Sequence, residues 1–278
     1  MQDSKKLPVL CMLPTESLIT HEDADPRRVE KLCLRLRQEN SLKNPPIVAP
    51  IPGREQYVVL DGANRTMAFV SLGIPHIVAQ VVDYNDPEVV VDTWYHVVSG
   101  MAIDRFEEAL TKALGLHLEA CSLQEARRAL EAEETIGYII CEDGVRKVYQ
   151  KDASKPRDFQ LLNQIVGAYR GRANIFRASN DIWEIQKPYY PDITALVIFP
   201  RYCQTDILHA AINGYKVPSG VTRHVIPNRA LNLNIPLGVL WADWPLKHKE
   251  EWLHEWLMER MASNAIRYYA ESTFSFNE

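Results

Sequence analysis

The residues best suited to binding an anion follow a short apolar run in the segment V-V-L-D-G-A-N-R, residues 58–65. A helix that starts near Gly62 after a strand would present unpaired N–H groups and a partial positive charge to a phosphate. Ala63 leaves space for that phosphate, and Arg65 adds a guanidinium that suits its oxygens. Asp61 would repel a bare phosphate but could meet one through Mg²⁺. Alternatively, Asp61 only caps the helix and Arg65 is a surface charge, and the spacing alone favours neither interpretation.

A second group of polar residues lies in the acidic loop T-H-E-D-A-D-P, residues 20–26. A carboxylate in a loop that faces a phosphate can take the proton of a hydroxyl nucleophile, so Glu22 is a candidate general base. Acidic loops before helices are also common on protein surfaces, and Asp25 followed by Pro26 has the pattern of a helix N-cap. The loop therefore has both a catalytic and a purely structural interpretation.

A third candidate segment, V-P-S-G-V-T-R-H, residues 217–224, comes late in the chain. If it is extended after its turn, Thr222 and His224 point to the same face. With Arg223 they offer a hydroxyl, an imidazole and a guanidinium, a set that could bind an amino-acid carboxylate; the alternative is a polar edge strand. Trp94, in the segment D-T-W-Y-H, is a further candidate, although a lone tryptophan is more often part of a core.

The elements that position these segments follow from apolar periodicity and turn residues. In residues 7–82 the order is strand, helix, strand, strand, helix, strand, which is typical of a compact α+β unit. The later part mixes helices with a few strands, including a hairpin across E-D-G, and has K-D-A-S-K-P at residues 151–156 as an exposed connection. Predicted helices cover residues 27–39, 64–72, 103–114, 123–133, 159–169, 206–212 and 247–261, and predicted strands cover residues 7–13, 45–50, 56–60, 77–82, 138–141 and 145–150.

Composition restricts the class of protein. The chain has 278 residues, 46% of them hydrophobic, as expected of a globular protein with one large domain or two modest ones. The net charge of −5 disfavours a large nucleic-acid-binding surface. Five cysteines without a C-x-x-C pair argue against a disulfide framework or a zinc site and are typical of a reducing cytosol. We expect a cytoplasmic protein without a membrane partner, since M-Q-D-S-K-K does not resemble a signal peptide and no apolar run reaches the roughly 20 residues that span a bilayer.

Taken together and in order, these segments resemble one known family. D-G-x-x-R after a strand, the H-E loop before it, T-W-x-H in the middle and V-P-S-G-V-T-R-H-V-I-P-N-R-A-L-N-L-N-I-P-L near the end are similar to the free L-serine kinases built on the ParB/sulfiredoxin fold. The likeness is greatest to the members from the staphyloferrin B siderophore pathway and covers most of the chain. It implies an α+β fold with a ParB/sulfiredoxin-like nucleotide-binding domain at residues 1–100. A mixed α/β domain at residues 101–278 would form the other wall of a cleft and contribute the serine site.

The resemblance also implies a reaction, the transfer of a phosphoryl group from ATP or ADP, with Mg²⁺ as cofactor, to the hydroxyl of L-serine to give O-phospho-L-serine. Glu22 corresponds to the general base, and Asp61 to a catalytic and metal-binding carboxylate. The nucleotide phosphate motif corresponds to Gly62, Ala63, Asn64, Arg65 and Thr66, and the substrate-binding positions to Trp94, Thr222, Arg223 and His224. Ala63 and Asn64 stand where the family often has His-His or Val-His, and Asn64 can donate a hydrogen bond but cannot titrate.

Two other functions compete with the kinase. A ParB-like DNA-binding regulator that uses nucleotide as a switch is disfavoured by the net charge of −5 and by the lack of a clear helix-turn-helix pattern. A sulfiredoxin-type reductase needs a reactive cysteine beside the phosphate motif, and none of the five cysteines is there. The resemblance to the siderophore-pathway members favours ATP over ADP as the phosphoryl donor. The oligomeric state and the downstream pathway stay open.

Overall fold

The computed structural model describes residues 7–149 and 159–269, so the predicted connection at residues 151–156 lies outside the described residues. The described strands are β1 Val9–Pro14, β2 Leu18–Thr20, β3 Ser41–Leu42, β4 Ile47–Pro50, β5 Tyr57–Asp61, β6 His76–Val81, β7 Val90–Thr93, β8 Tyr95–Ser99, β9 His117–Cys121, β10 Gly137–Cys141, β11 Gly144–Tyr149, β12 Asn174–Ala178, β13 Ile193–Ile198, β14 Thr222–Val225 and β15 Ile235–Pro236. The described helices are α1 Pro26–Glu39, α2 Ala63–Leu72, α3 Ile103–Leu114, α4 Leu123–Glu131, α5 Phe159–Tyr169, α6 Trp183–Gln186, α7 Gln204–Ile212, α8 Leu237–Trp241 and α9 Leu246–Ala262, with a short 3₁₀ turn at Thr15–Ser17.

The first part of the chain forms a five-stranded mixed sheet in the order β1-β6-β4-β5-β2. The strands β4 and β5 make the predicted antiparallel hairpin, and β2 adds in parallel to β5. Val48, Val59, Phe69 and Val78 are each at most 1% exposed and form the centre of a core between this sheet and its helices. The predicted strands and helices of this part are present, and the structure adds two short strands that were not predicted, β2 and β3.

A second sheet of six antiparallel strands follows in the order β12-β8-β13-β10-β11-β9. The helices α3 and α5 contact each other and bury Phe106 and Tyr169 completely. The sequence indicates few strands here, because β8 and β13 are buried segments without strict alternation and β12 is short and mostly exposed. The D-T-W-Y-H segment spans the end of β7 and the start of β8, and only β8 belongs to this sheet.

The C-terminal helices return to the first sheet. The strand β15 pairs with β3, and α9 packs against β1. The ammonium of Lys249 in α9 is fully buried, and it lies 2.8 Å from the carbonyl oxygen of Leu240 and 3.0 Å from Nδ1 of His76. Burial lowers the pKa of Lys249. The division of the chain into domains at residues 1–100 and 101–278 stays a proposal.

The ends of the two helices nearest the candidate site have local causes. Asp25 caps α1 by accepting hydrogen bonds from the N–H groups of Arg27 at 3.0 Å and Arg28 at 3.4 Å, with Pro26 at the first helical position as predicted. The helix α2 begins at Gly62 and ends at Gly73, both in the left-handed region. Among the described residues, no helix is both long and apolar enough to cross a bilayer.

Candidate active site

Backbone pairing brings the H-E loop, the 217–224 segment and Trp94 together. The N–H of Val217 donates to the carbonyl of His21 at 2.8 Å, and the N–H of Asp23 donates to the carbonyl of Val217 at 3.2 Å. On the other side, β14 pairs with β7, and the N–H of Trp94 donates to the carbonyl of Val221 at 2.7 Å. The late segment thus lies between two parts of the chain that precede it by more than a hundred residues.

The carboxylate of Glu22 is held by this segment. One oxygen, Oε1, accepts the N–H of Thr222 at 2.9 Å and lies against the Thr222 hydroxyl, and the other, Oε2, accepts the N–H of Gly220 at 3.2 Å. Gly220 has a φ of +82°, which a residue with a side chain adopts only at a cost. These donors fix the direction of the carboxylate and leave Oε2 with capacity for a further hydrogen bond.

His21 completes the cluster from the opposite side. Its Nδ1 lies 2.7 Å from the carbonyl of Val59, an acceptor only, so Nδ1 carries the hydrogen. Burial lowers the pKa of His21, which makes the ring neutral and its Nε2 an acceptor, 2.9 Å from the Thr222 hydroxyl. The single hydroxyl hydrogen of Thr222 therefore faces two acceptors, His21 and Glu22. The cluster has room for one more proton.

His224 lies on the same face of β14 as Thr222, as the alternation predicted. Its ring is 8% exposed, packs edge-on to His21 with centroids 5.4 Å apart, and has Nε2 2.9 Å from the Tyr84 hydroxyl. Burial lowers the pKa of His224 to about 3, and burial raises the pKa of Tyr84. Both groups are neutral at physiological pH, so this wall of the site offers hydrogen bonds without charge.

The buried histidines make stability depend on pH. Burial also lowers the pKa of His96 to about 3, with its Nδ1 2.8 Å from the Tyr169 hydroxyl. Since the folded pKa lies below the value of about 6.5 in an unfolded chain, only the unfolded state takes up these protons between the two values. The contribution of His96 to stability is complete above pH 6.5 and is lost as the pH falls toward 3.

We expect the free energy of unfolding in urea to fall between pH 6.5 and pH 4.5 by about 1.4 kcal/mol per pH unit for each such histidine. The variant His96→Gln should have a slope that is smaller by about one proton. His254→Gln, at an exposed position of α9, is the matched control and should keep the wild-type slope. Equal slopes in all three proteins would contradict a neutral, buried His96.

Trp94 is covered by a guanidinium. The Arg223 guanidinium carbon lies 4.4 Å from the centroid of the indole ring, and Arg223 Nη1 lies 3.4 Å from Asp92 Oδ2. Arg223 points to the opposite face of β14 from Thr222 and His224, as strand geometry requires. The structure therefore brings Thr222 and His224 together on the face of β14 that carries the Glu22 and His21 contacts, whereas Trp94 and Arg223 stack on each other on the opposite face.

The phosphate motif forms the strand-to-helix junction that the sequence predicts. Asp61 ends β5, and Gly62 is the N-cap of α2 with a φ of +95° and no side-chain cap. The first intrahelical hydrogen bond runs from the N–H of Thr66 to the carbonyl of Gly62 at 2.9 Å, so the N–H groups before it point out of the helix end. This end of α2 is suited to bind an anion.

The junction has no room for a larger residue than glycine. A Cβ on Gly62 would lie 2.9 Å from Nη1 of Arg65 and 3.1 Å from Cα of Pro46. The Arg65 guanidinium also donates to the carbonyl of Pro45 at 2.9 Å. Thr66 is 1% exposed, and its hydroxyl finds no hydrogen-bond partner in the part of the chain that the structure describes. The tight backbone and an unpaired buried hydroxyl are what a site for a bound phosphate would contain.

Asn64 joins the two halves of the site. Its Oδ1 accepts the N–H of Asp25 at 2.7 Å, which ties the H-E loop to the first turn of α2. This contact gives the departure from the family pattern a structural role: the side chain at this position fixes a loop. The adjoining Ala63 adds no polar group.

Removing this tie should have a measurable cost. We expect Asn64→Ala to lower the free energy of unfolding by about 1 kcal/mol, because the Asp25 N–H loses its acceptor. Asn64→Asp keeps an acceptor oxygen and should retain most of the stability, while its negative charge should weaken nucleotide binding. Urea titrations and nucleotide titrations of both variants check this expectation. Equal stability of Asn64→Ala and wild type would show that the contact does not hold the loop.

Asp61 is the candidate metal ligand, and its carboxylate accepts a hydrogen bond from Nη2 of Arg229. Among the described residues, no group of three or more acidic, histidine or cysteine side chains could hold a metal by itself. Mg²⁺ is commonly held by one or two carboxylates together with substrate phosphates and water. A single carboxylate beside a helix N-terminus therefore fits a magnesium ion that binds together with a nucleotide.

Sequence reasoning missed three cationic or imidazole groups of the site. His21 was visible only as half of the H-E pair. Lys216 donates to the carbonyl and the hydroxyl of Thr20, and burial lowers its pKa. Arg177 lies on the unpredicted strand β12, next to Gly220: a Cβ on Gly220 would be 2.8 Å from Nη2 of Arg177. The Arg177 guanidinium also interacts electrostatically with the carboxylates of Glu22 and Asp61.

Comparison with known proteins decides the family. No family model matches the chain. An ATP-dependent L-serine kinase of Staphylothermus marinus is 36% identical over 239 residues, which cover 82% of this chain and 90% of the relative. The chain belongs to the ATP-dependent L-serine kinase family. The ATP-dependent L-serine kinase SbnI of Staphylococcus aureus is 24% identical over 273 residues, or 95% of this chain and 96% of that protein.

Solved structures of this serine kinase family share the fold. SbnI of Staphylococcus aureus with a C-terminal truncation has a TM-score of 0.74 at 23% identity, over 91% of this chain and 97% of that one. A free serine kinase in complex with AMP has a TM-score of 0.73 at 19% identity, over 85% of this chain and 95% of that one. The predicted family and the predicted α+β fold of the free serine kinases are confirmed.

Proposed function

We propose that this protein phosphorylates free L-serine with ATP to give O-phospho-L-serine, with Glu22 as the general base. The observation that carries the proposal is the hydrogen bond between the N–H of Asp25 and Asn64. It joins the loop of the candidate base to the helix end suited to nucleotide phosphates. An acceptor for a proton and a site for a phosphate thus adjoin, as transfer to a hydroxyl requires.

The hydrogen bonds around Glu22 support its role as base. Its carboxylate shares the single hydrogen of the Thr222 hydroxyl with Nε2 of His21. As the serine Oγ–P bond forms and the bond from phosphorus to ADP breaks, the serine hydroxyl proton would move to Glu22. That proton supplies the hydrogen that the cluster lacks. Protonated Glu22 could donate it to the Thr222 hydroxyl, whose own hydrogen would then bond to Nε2 of His21.

The serine itself would lie against β14. The hydroxyl of Thr222 and the neutral imidazole of His224 share one face, while the indole of Trp94 stacks on Arg223 at the opposite face of the strand. A neutral wall can accept and donate hydrogen bonds to a zwitterionic amino acid without repelling either of its charges. We assign Thr222 and His224 to binding and orientation of the substrate, so that its hydroxyl points at the transferred phosphoryl group, and Trp94 to support of β14 through Arg223.

The nucleotide phosphates would lie at the start of α2. The N–H groups of Ala63 and Asn64, the buried hydroxyl of Thr66 and the guanidinium of Arg65 are the donors there. Asp61 would hold Mg²⁺, which supplies neutralisation of the phosphate charge when it is bound. We propose ATP as the donor, because relatives that match 82% and 95% of this chain are named as ATP-dependent L-serine kinases.

The assignment is tested by incubating the purified protein with L-serine, Mg²⁺ and either ATP or ADP, and by following phosphoserine and the nucleotide product. Formation of phosphoserine together with ADP supports the proposal. Formation of phosphoserine together with AMP would show that ADP, and not ATP, is the phosphoryl donor. L-Threonine and a reaction without divalent cation are the controls. The proposal fails if neither nucleotide gives phosphoserine from a protein that is folded and binds nucleotide.

A further inference from the structure

A second arginine lies at the mouth of the phosphate junction. Arg229 follows β14 by four residues, and its Nη2 donates to Oδ2 of Asp61, the residue immediately before the N-cap of α2. The side chains of Arg229 and Asp61 are 39% and 40% exposed. An ion pair this exposed contributes little to stability, about 0–1 kcal/mol. The contact by itself does not explain why the chain places an arginine there.

The backbone on both sides of Arg229 is fixed by a buried side chain. Gln80 of β6 is 2% exposed; its Nε2 donates to the carbonyl of Asn228 at 3.1 Å, and its Oε1 accepts the N–H of Ala230 at 2.8 Å. Asn228 has a φ of +52°, which turns the chain at this point. The amide of Gln80 thus holds the two peptide groups that flank Arg229, and we call this arrangement the Gln80 clamp.

The loop is also tied further along. The N–H of Asn232 donates to Oδ1 of Asn44 at 2.9 Å, and the N–H of Leu233 donates to the carbonyl of Lys43 at 2.7 Å. These bonds connect the loop to the chain just before Pro45, whose carbonyl accepts the Arg65 guanidinium. The segment of residues 43–45 therefore contacts both the loop that carries Arg229 and the side chain of Arg65. Both arginines lie near the N-terminal end of α2.

We propose that Arg229 is a nucleotide phosphate-binding residue and that Gln80 is its positioning residue; this rests on the proposed function, because it concerns the same nucleotide site. Without nucleotide, Asp61 is the partner of Arg229. When nucleotide binds, with or without Mg²⁺, the guanidinium turns from this carboxylate to a phosphate oxygen, and Asp61 would then be available to hold Mg²⁺. With Mg²⁺ present, this exchange would leave both the guanidinium and the carboxylate next to an opposite charge.

The test is equilibrium binding of ATP to the full chain, measured by calorimetry with Mg²⁺ and separately with EDTA. Arg229→Met should weaken ATP binding about tenfold in both conditions, as the loss of one charged hydrogen bond would. Arg54→Met removes an exposed arginine at the far end of the β4–β5 hairpin and should leave binding unchanged. Unchanged affinity of Arg229→Met, or a loss that occurs only with Mg²⁺, would overturn the phosphate contact.

Gln80 is tested by a double-mutant cycle. Gln80→Met should weaken ATP binding severalfold in the wild-type background and have no further effect when Arg229 is already Met, because it acts only through that side chain. Equal losses in both backgrounds would show a merely structural role for Gln80. Since ATP binding is measured without serine, the inference and the kinase assignment can fail separately: phosphoserine without an effect of Arg229→Met, or ATP binding without phosphoserine.

Discussion

Replacing Glu22 with glutamine is expected to lower kcat for phosphoserine formation by about 10²–10⁴-fold, the range for removal of a general base. The amide keeps the size of the side chain but cannot take up a proton. Its NH₂ group would also face the N–H of Gly220 or the donors of Thr222, which now point at a carboxylate. ATP binding should change little, because the phosphates would lie at the start of α2.

The matched control is Asp23→Asn, which removes an exposed carboxylate from the neighbouring position of the same loop. It should retain kcat within about twofold, since surface substitutions of this kind have small effects. Steady-state kinetics with serine, together with calorimetric ATP binding, separate the chemical step from nucleotide binding. If Glu22→Gln kept wild-type turnover, another group would have to be the general base. The capacity of the Glu22, Thr222 and His21 cluster to take up one more proton would then play no part in catalysis.

Substituting alanine for Gly62 is expected to weaken ATP binding by about 10²-fold. The new Cβ would lie 2.9 Å from Arg65 Nη1 and 3.1 Å from the backbone of Pro46, so the guanidinium must leave its present place. A charged hydrogen bond is worth about 1.5–3 kcal/mol, and a left-handed backbone costs a residue with a side chain about 1–2 kcal/mol. The displaced guanidinium acts on ATP binding, whereas the backbone strain lowers the free energy of unfolding.

Gly53→Ala provides a control with the same backbone strain and without the clash. Gly53 has a φ of +74° at the turn before β5, and a Cβ there would meet nothing within 4 Å. We expect this variant to lose about 1 kcal/mol of stability in urea and to bind ATP as the wild type does. If the two glycine variants bound ATP equally well, the close packing of Gly62 against Arg65 would be irrelevant to the nucleotide.

Together, the two variants address different ends of the site. Glu22→Gln leaves the helix end intact and acts on proton transfer, whereas Gly62→Ala leaves the cradle of Glu22 intact and acts on the phosphates. Their effects on ATP affinity should therefore differ in size: Glu22→Gln should leave the affinity nearly unchanged, and Gly62→Ala should lower it strongly. This separation tests whether the hydrogen bond between Asp25 and Asn64 joins two functional halves or only two structural ones.

The local elements of the site could be read from the sequence because their causes are local. The helix α1 begins where Asp25 and Pro26 predict, since an N-cap side chain bonds to N–H groups only two and three residues away. The start of α2 at Gly62 and its end at Gly73 depend on two glycines in the left-handed region. The shared face of Thr222 and His224 follows from the alternation of a strand.

The second sheet was predicted less well. Its strands β8 and β13 are buried on both faces or irregular in register, so they lack the alternation that marks a half-buried strand. Arg177 was missed because the strand that carries it, β12, is short and mostly exposed and was not predicted. The sequence can show that a residue lies near a site only if the strands and helices that connect the two can be predicted.

By itself, the sequence determined the strand–glycine–helix junction, the position of a candidate base in the H-E loop and the likeness to the serine kinases. Only the tertiary structure decided what each group bonds to: Glu22 is cradled by residues about 200 positions later, and Asp61 is paired with Arg229, 168 positions away. Caps and alternation act over a few residues and leave a local pattern. Partners across the chain depend on sheet register and loop anchoring, as in the Gln80 clamp, and these are fixed only when the whole core is formed.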